Sequence, residues 1–296
     1  ELAQKCKEGM IAILKKEVKS YLTSMVGYVF IGFMLVVSGI YFTAYHLNGA
    51  YPKFAYTLSA VLVVFLIAVP ILTMRILAEE RRQKTDQLLL TSPVSVPEIV
   101  IGKYLALVCI FLIVVLALAF YPLVLSQFGS IPYGETYAAL FGFWLMGCSF
   151  LAIGLYISSI TESQVIAAVL TFLVLFVCYL MEGIAGFFPD TASSSFLALV
   201  VLAAGVAFLI QYWTKNRVIA GAFLILGEAA LVVTYMGNSA AFEGILQDIL
   251  SVFDISGHFS EFASGIFDVT GIVYYLSIIG VFLFLTVESI QKRRWS

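Results

Sequence analysis

Ala60 to Lys84 reads AVLVVFLIAVPILTMRILAEERRQK, and this stretch decides the fold. No charge occurs from Ala60 to Met74, whereas Arg75, Glu79, Glu80, Arg81, Arg82 and Lys84 crowd its end. At about 1.5 Å of rise per residue, the apolar run and the residues before it suffice to cross about 30 Å of hydrocarbon as a helix. The charged end must stay in water. Further windows of the same kind follow outward in both directions, giving eight: 26–47, 54–76, 104–126, 136–158, 164–185, 195–213, 218–236 and 269–290. The seventh is interrupted by Glu228, and a central acid costs about 2.5–3.5 kcal/mol on insertion scales.

The composition agrees with this pattern. Of 296 residues, 62% are hydrophobic and 11% charged, against about 25% charged in a globular domain, and the mean hydropathy is +1.04. Too little polar side chain remains to cover a water-facing surface. The charge-free windows suit helices better than the ten-residue alternating strands of an outer-membrane barrel. The expected fold is therefore all-α, a polytopic membrane protein of about eight transmembrane helices, forming a single domain over residues 1–296.

Basic residues set the orientation. With eight spans and a cytoplasmic N-terminus, 15 of the 16 Lys and Arg lie inside and only Lys53 outside. An odd number of spans would put Lys292, Arg293 and Arg294 outside, against the positive-inside rule. Both termini are thus expected in the cytoplasm. The first residues lack the apolar core and small-residue cleavage site of a secretory signal, so the first long run reads as a permanent span.

Met10 to Leu22 places Ile11, Leu14, Val18, Tyr21 and Leu22 opposite Lys15, Lys16 and Lys19. This is the pattern of a cytoplasmic amphipathic helix within residues 1–25, lying on the inner surface against anionic lipid; the alternative is an extension of the first span. Cys6, Cys109, Cys148 and Cys178 show no CxxC spacing. His46 and His258 are too few and too far apart in sequence to suggest a metal site. The charge pattern argues against nucleic acid as a partner.

The polar loop 78–103, AEERRQKTDQLLLTSPVSVPEIVIGK, has an internal grammar. A charged helix from Glu79 is expected to continue to Leu88, Leu89 and Leu90 and to stop at Ser92-Pro93. Ser95-Val96-Pro97-Glu98 then has the S-x-x-E form of a capping box that opens the next helix. Three adjacent leucines need a cover, either the membrane surface or a groove on a cytoplasmic partner.

The run E-E-R-x-x-x-T-x-x-L-L-L-x-S-P-V-S at Glu79 to Ser95, followed by Ile101-Gly102-Lys103, resembles the coupling-helix loop of type-2 ABC exporter permeases. The stretch Gly154 to Gln164, with Thr161, Glu162 and Ser163 in a second cytoplasmic loop, and the stretch from Phe259 to the terminal Lys-Arg-Arg-Trp resemble the gliding-motility-type branch of that family. The resemblance covers nearly the whole chain. It departs from the common six-span plan by an added hairpin over about 195–236.

The resemblance implies a permease subunit that pairs with a second permease, the same or related, and with a cytoplasmic ABC ATPase dimer that holds ATP and Mg. It implies that Glu79, Glu80, Arg81, Thr85, Leu88, Leu89, Leu90, Ser92 and Pro93 couple to that ATPase. The setting is the inner or plasma membrane of a prokaryote. The chain itself offers no nucleotide site: its Gly102-Lys103 pair is followed by Tyr104, and the earlier P-loop glycine would fall on Pro97. No cofactor of its own is expected.

The segment 237–268, expected outside, holds five acids and no Lys or Arg. Two short amphipathic helices are expected there, at Phe242 to Phe253 and Phe259 to Phe267, with Gly257 as a breaker. They form a lid on their own spans, a cap over the translocation route, or a dock for an auxiliary extracytoplasmic subunit. Glu182 and Glu228, near the outer ends of the fifth and seventh windows, are candidate acids of a translocation path; the plainer alternative is that they reach the outer interface.

Two other functions compete with this one. An ion-driven secondary transporter would use Glu182 and Glu228 as relays, but no inverted repeat accompanies them. An intramembrane protease fails in detail, since His46 precedes Glu79-Glu80 and Gly147-Cys148-Ser149-Phe150-Leu151 lacks the second glycine of G-x-S-x-G.

Overall fold

The computed structural model of the chain describes residues 2–85, 94–127, 129–215 and 217–294. Among them all regular secondary structure is helical, and the chain is an all-α polytopic membrane protein. It divides into two compact units, residues 1–177 with 258–296, and residues 178–257.

In the first unit, α1 (Leu2–Thr23) is followed by α2 (Met25–Phe42), which ends in a π-helical turn, Thr43–Asn48. Then come α3 (Ala55–Thr73), the short α4 (Ala78–Arg82), α5 (Val96–Leu118), α6 (Tyr121–Leu125) and α7 (Tyr133–Ile160). Helix α8 (Gln164–Gly186) begins in this unit and runs past its boundary at Val177.

Among the described residues, six helical segments are long and apolar enough to cross a membrane: Met25–Asn48, Ala55–Arg82, Val96–Leu125, Tyr133–Ile160, Gln164–Gly186 and Val269–Lys292. They correspond to the first five windows and the eighth. The sixth and seventh windows also form helices, α9 (Ala192–Thr214) and α10 (Arg217–Gly237). Their apolar stretches among the described residues, Ala192–Phe208 and Gly221–Gly237, are shorter than the six.

The third span begins earlier than hydropathy suggests. Ser95 and Glu98 form the expected capping box, with the Ser95 N–H donating to Glu98 Oε2 at 3.1 Å. The helix therefore starts at Val96 and carries Lys103 inside it.

Helix α7 is the centre of the first unit. In its most apolar window 89% of the residues are buried, against 17% in α8 and in the last helix, α13 (Val269–Arg294), numbered after the two short helices described below. Helices α3, α5 and α13 pack on α7, and α1 packs along α5. Phe65 stacks on Phe111 at 4.8 Å, and both meet Phe143 in tilted contacts at 5.4 and 5.8 Å, which fixes α3, α5 and α7 side to side by aromatic contact as well as by burial.

In the second unit α9 and α10 form a helical hairpin, with Phe196, Tyr235 and Phe242 in mutual ring contact. The expected helices of 237–268 are shorter than their periodicity implied: α11 covers Ile245–Ser251 and α12 covers Gly257–Ala263. Gly257 does not break the chain between them but opens α12, its N–H held by Asp254 Oδ1 at 2.8 Å.

Candidate functional site

The site is built where α1, α4 and the start of α5 meet. Lys103 has no exposed surface. Its Nζ donates to Glu17 Oε1 on α1 at 3.0 Å, to Glu80 Oε1 on α4 at 2.8 Å and to the Ile76 carbonyl at 3.1 Å. An ammonium has three protons to give, and here each has an acceptor. Glu17 is itself buried, so the pair is largely removed from water, where charge-assisted bonds are strongest and an unpaired charge costs most.

Local sequence explains the geometry. The capping box fixes the start of α5, and Lys103 follows two helical turns later. Gly102 lets α1 approach, since a Cβ there would lie 3.1 Å from the Met10 carbonyl oxygen and 3.2 Å from Ile13 Cγ2. Glu17 sits on the apolar stripe of α1, three residues after Leu14 and four before Tyr21, and so points at α5 instead of solvent. Tyr21 is buried and donates to the Leu72 carbonyl at 2.9 Å, tying α1 to α3 as well. Burial, followed by the nearby Glu17 carboxylate, holds the Tyr21 phenol far above its ordinary range, so it remains a donor.

Helix α4 is clamped from its other side by the end of α7. Ser158 Oγ accepts the Leu77 and Ala78 N–H groups at 3.3 and 3.1 Å. Arg81 donates to the Ser159 carbonyl and, at 2.9 Å, to the Thr161 carbonyl. A cation on the last carbonyls of a helix meets both unpaired acceptors and the negative end of the helix dipole. One turn earlier, Gly154 touches α3 so closely that a Cβ would lie 2.5 Å from Thr73 Oγ1. The two stretches singled out in the sequence, Glu79 to Ser95 and Gly154 to Gln164, therefore meet through Arg81 and the Ser159 and Thr161 carbonyls.

Beside this junction lies a cleft of about 310 Å³, lined among others by Lys16, Ser20, Glu79, Gln83 and Thr85. Arg75 pairs with Glu79 along the same wall. Three carboxylates, Glu17, Glu79 and Glu80, thus stand against three cations, Lys16, Arg75 and Lys103, and the cluster is charge-balanced.

One expectation for the loop is corrected. The helix that begins at Ala78 does not run on toward the leucines but ends at Arg82. Lys84 adopts a left-handed φ of 56°, its N–H bonds the Arg81 carbonyl at 3.1 Å, and the Thr85 N–H bonds the Glu80 carbonyl at 3.0 Å. This is a Schellman ending built on lysine where glycine is usual, so the sequence gives no warning of it.

Of the expected site residues, Glu79, Glu80 and Arg81 converge here, Thr85 closes the helix, and Thr161 receives Arg81 through its carbonyl. Glu162 is exposed, and the Ser163 carbonyl serves to open α8 through the Ala167 N–H. Leu88, Leu89, Leu90, Ser92 and Pro93 lie outside the described residues. Glu182, exposed, and Glu228, half-buried, both belong to the second unit. His46 is hydrogen-bonded to the Tyr51 carbonyl and Thr57 Oγ1, and His258 stacks on Tyr274.

Sequence reasoning missed Glu17 and Lys103 as members of the site. Both left a signal, an acid on the apolar stripe of α1 and a base inside an apolar helix, each of which needs a counter-charge.

No curated protein matches the chain. The family profile described as ABC-2 family transporter protein matches residues 11–286, which takes in α2 to α12 and most of α13. With that match over most of its length, the chain belongs to the ABC-2 transporter family.

Proposed function

We propose that this chain is the permease subunit of an ABC exporter, and that the loop from Glu79 to Pro93 is where a separate cytoplasmic ATPase dimer, holding ATP and Mg, acts on it. One observation carries the reading: α4 is anchored twice, through Glu80 to Lys103 on α5 and through Arg81 to the end of α7. Arg82, Gln83, Lys84 and Thr85 remain exposed beyond those anchors. A push on that exposed edge passes directly to the second, third and fourth spans. The bistable element is the permease pair, this chain with a second permease, whose inward and outward states ATP in the partner biases.

On this reading both termini and the loop are cytoplasmic, in the inner or plasma membrane of a prokaryote. The sequence stretches quoted above favour the gliding-motility-type branch, and the segment 237–268 is the place for an auxiliary extracytoplasmic subunit. Glu182 and Glu228 are proposed as acids of the translocation path. Normal export by Glu182→Gln and Glu228→Gln variants would remove them from it.

The test is purification of the chain from its native membrane in mild detergent, beside a Leu89→Asp variant. A soluble ATPase is expected with wild type and not with the variant. Absence of any ATPase from folded wild-type preparations would overturn the proposal, and transport that follows an ion gradient instead of ATP would replace it with an ion-driven carrier.

A further inference from the structure

The exporter reading accounts for α4 but gives no task to α1, whose buried carboxylate Glu17 shares its counter-ion with the loop helix. We propose that Lys103 is a positioning residue for coupling, which holds Glu17 of α1 and Glu80 of α4 on one ammonium so that a displacement of the loop carries α1 with it. The inference rests on the proposal that an ATPase acts at the loop.

Three observations converge on it. The ammonium is saturated by Glu17, Glu80 and the Ile76 carbonyl and has no exposed surface of its own, while the side chains of Glu17 and Glu80 keep 10% and 18% of theirs toward the cleft. Pulling either carboxylate away would leave the buried ammonium short of an acceptor, which sets a high cost on separating α1 from α4. Next, α1 has no slack against α5, because Gly102 brings the two helix surfaces into contact. Finally, Tyr21 fastens the far end of α1 to the Leu72 carbonyl near the end of α3, the helix that leads into α4. Helix α1 is thus attached on both sides of the loop's base, and its exposed lysines Lys15, Lys16 and Lys19 lie along the surface that would move.

Removing Glu17 is the gentlest way to cut this link. Lys103 and Glu80 remain as a neutral pair, and no residue of the exposed loop edge is touched. The experiment uses the full chain with its co-purified ATPase in nanodiscs, in a background with Cys6, Cys109 and Cys178 replaced by serine, with an environment-sensitive thiol label placed in separate samples at Lys19→Cys on α1 or Gln83→Cys beside α4. With Glu17→Leu, ATPase recovery within twofold of wild type and an unchanged ATP-dependent signal at position 83 are expected, while the signal at position 19 falls at least fivefold. Glu17→Gln, which keeps the volume and an acceptor oxygen, serves if the leucine variant does not fold, and at least a twofold loss at position 19 is expected from it. A wild-type response at position 19 in the folded variant, with the loop label still responding, overturns the proposal. Failure of the wild-type chain to recover an ATPase removes the exporter reading and this inference together.

Discussion

Opposite ends of the same helices are held by different chemistry. Where α3 gives way to α4 and α5 begins, the buried polar group is an ammonium against two carboxylates, with Arg75–Glu79 beside it. Where α3 begins and α5 ends, it is His46, hydrogen-bonded at 2.6 Å to the Tyr51 carbonyl and at 2.9 Å to Thr57 Oγ1. That ring packs on Phe42 and Phe54, which both meet Tyr121, and the ion pair at this end, Lys53–Glu135, is half exposed. An aromatic contact can slide to a neighbouring packing at little cost, whereas a buried ammonium that loses a carboxylate is left with uncompensated charge. The charged end is therefore suited to moving as one body, and the aromatic end to repacking around a fixed closure.

The comparison breaks most visibly at Lys103. Lys103→Met takes from Glu17 and Glu80 the buried cation they share, and a loss of about 3–5 kcal/mol is expected, the scale for removing one partner of a buried pair. The neutral set Lys103→Met with Glu17→Gln and Glu80→Gln should recover most of it, because the penalty comes from the unpaired charges. Thermal unfolding in detergent checks both, and a single variant as stable as wild type would show that water reaches the site.

The aromatic end should give a smaller loss. His46→Phe keeps the ring against Phe54 but leaves the Tyr51 carbonyl and the buried Thr57 hydroxyl without that partner. About 1–3 kcal/mol is expected, the cost of leaving a buried polar group unsatisfied. A loss as large as that of Lys103→Met would erase the distinction between the ends. Lys53→Met should cost less again, about 0.2–1 kcal/mol for an exposed pair, and the difference from wild type should shrink as salt is raised. A loss that does not respond to salt would mean that Lys53 acts by packing.

What the sequence made legible follows from which forces are local. Hydropathy located all six long helices, and Ser95 and Glu98 announced the start of α5, because burial in lipid and capping depend on residues close in the chain. The end of α4 was not legible, since its left-handed turn falls on Lys84, a residue with no preference for one. The Glu17–Lys103–Glu80 node was half legible. Each charge stood out in an apolar setting, but only tertiary packing brings together residues 86 and 23 positions apart. The charged edge of the coupling segment was readable as a pattern, while its second anchor was hidden in the backbone carbonyls of Ser159 and Thr161, which carry no mark in the sequence.

The aromatic end also holds a carboxylate, and it behaves unlike those of the charged end. Asp268 precedes α13, and its oxygens accept the Thr270 N–H at 2.9 Å and the Gly271 N–H at 2.5 Å. Desolvation pushes its carboxyl upward, but these backbone bonds, with His258 nearby, outweigh it and hold the group below the ordinary carboxylate value. A depressed folded value means that the unfolded chain takes up the proton first. The stabilisation is therefore present above the unfolded value of about 3.9 and is lost as pH falls from there through the depressed folded value. Asp268→Asn separates this from capping, because asparagine caps about as well as aspartate and does not titrate. Unfolding temperatures of wild type and variant should run parallel at neutral pH and converge or cross only below about pH 4. This is the smallest of the effects, since the group lies at the surface where water screens it. Curves that stay parallel into acid would assign the α13 start to hydrogen bonding without charge.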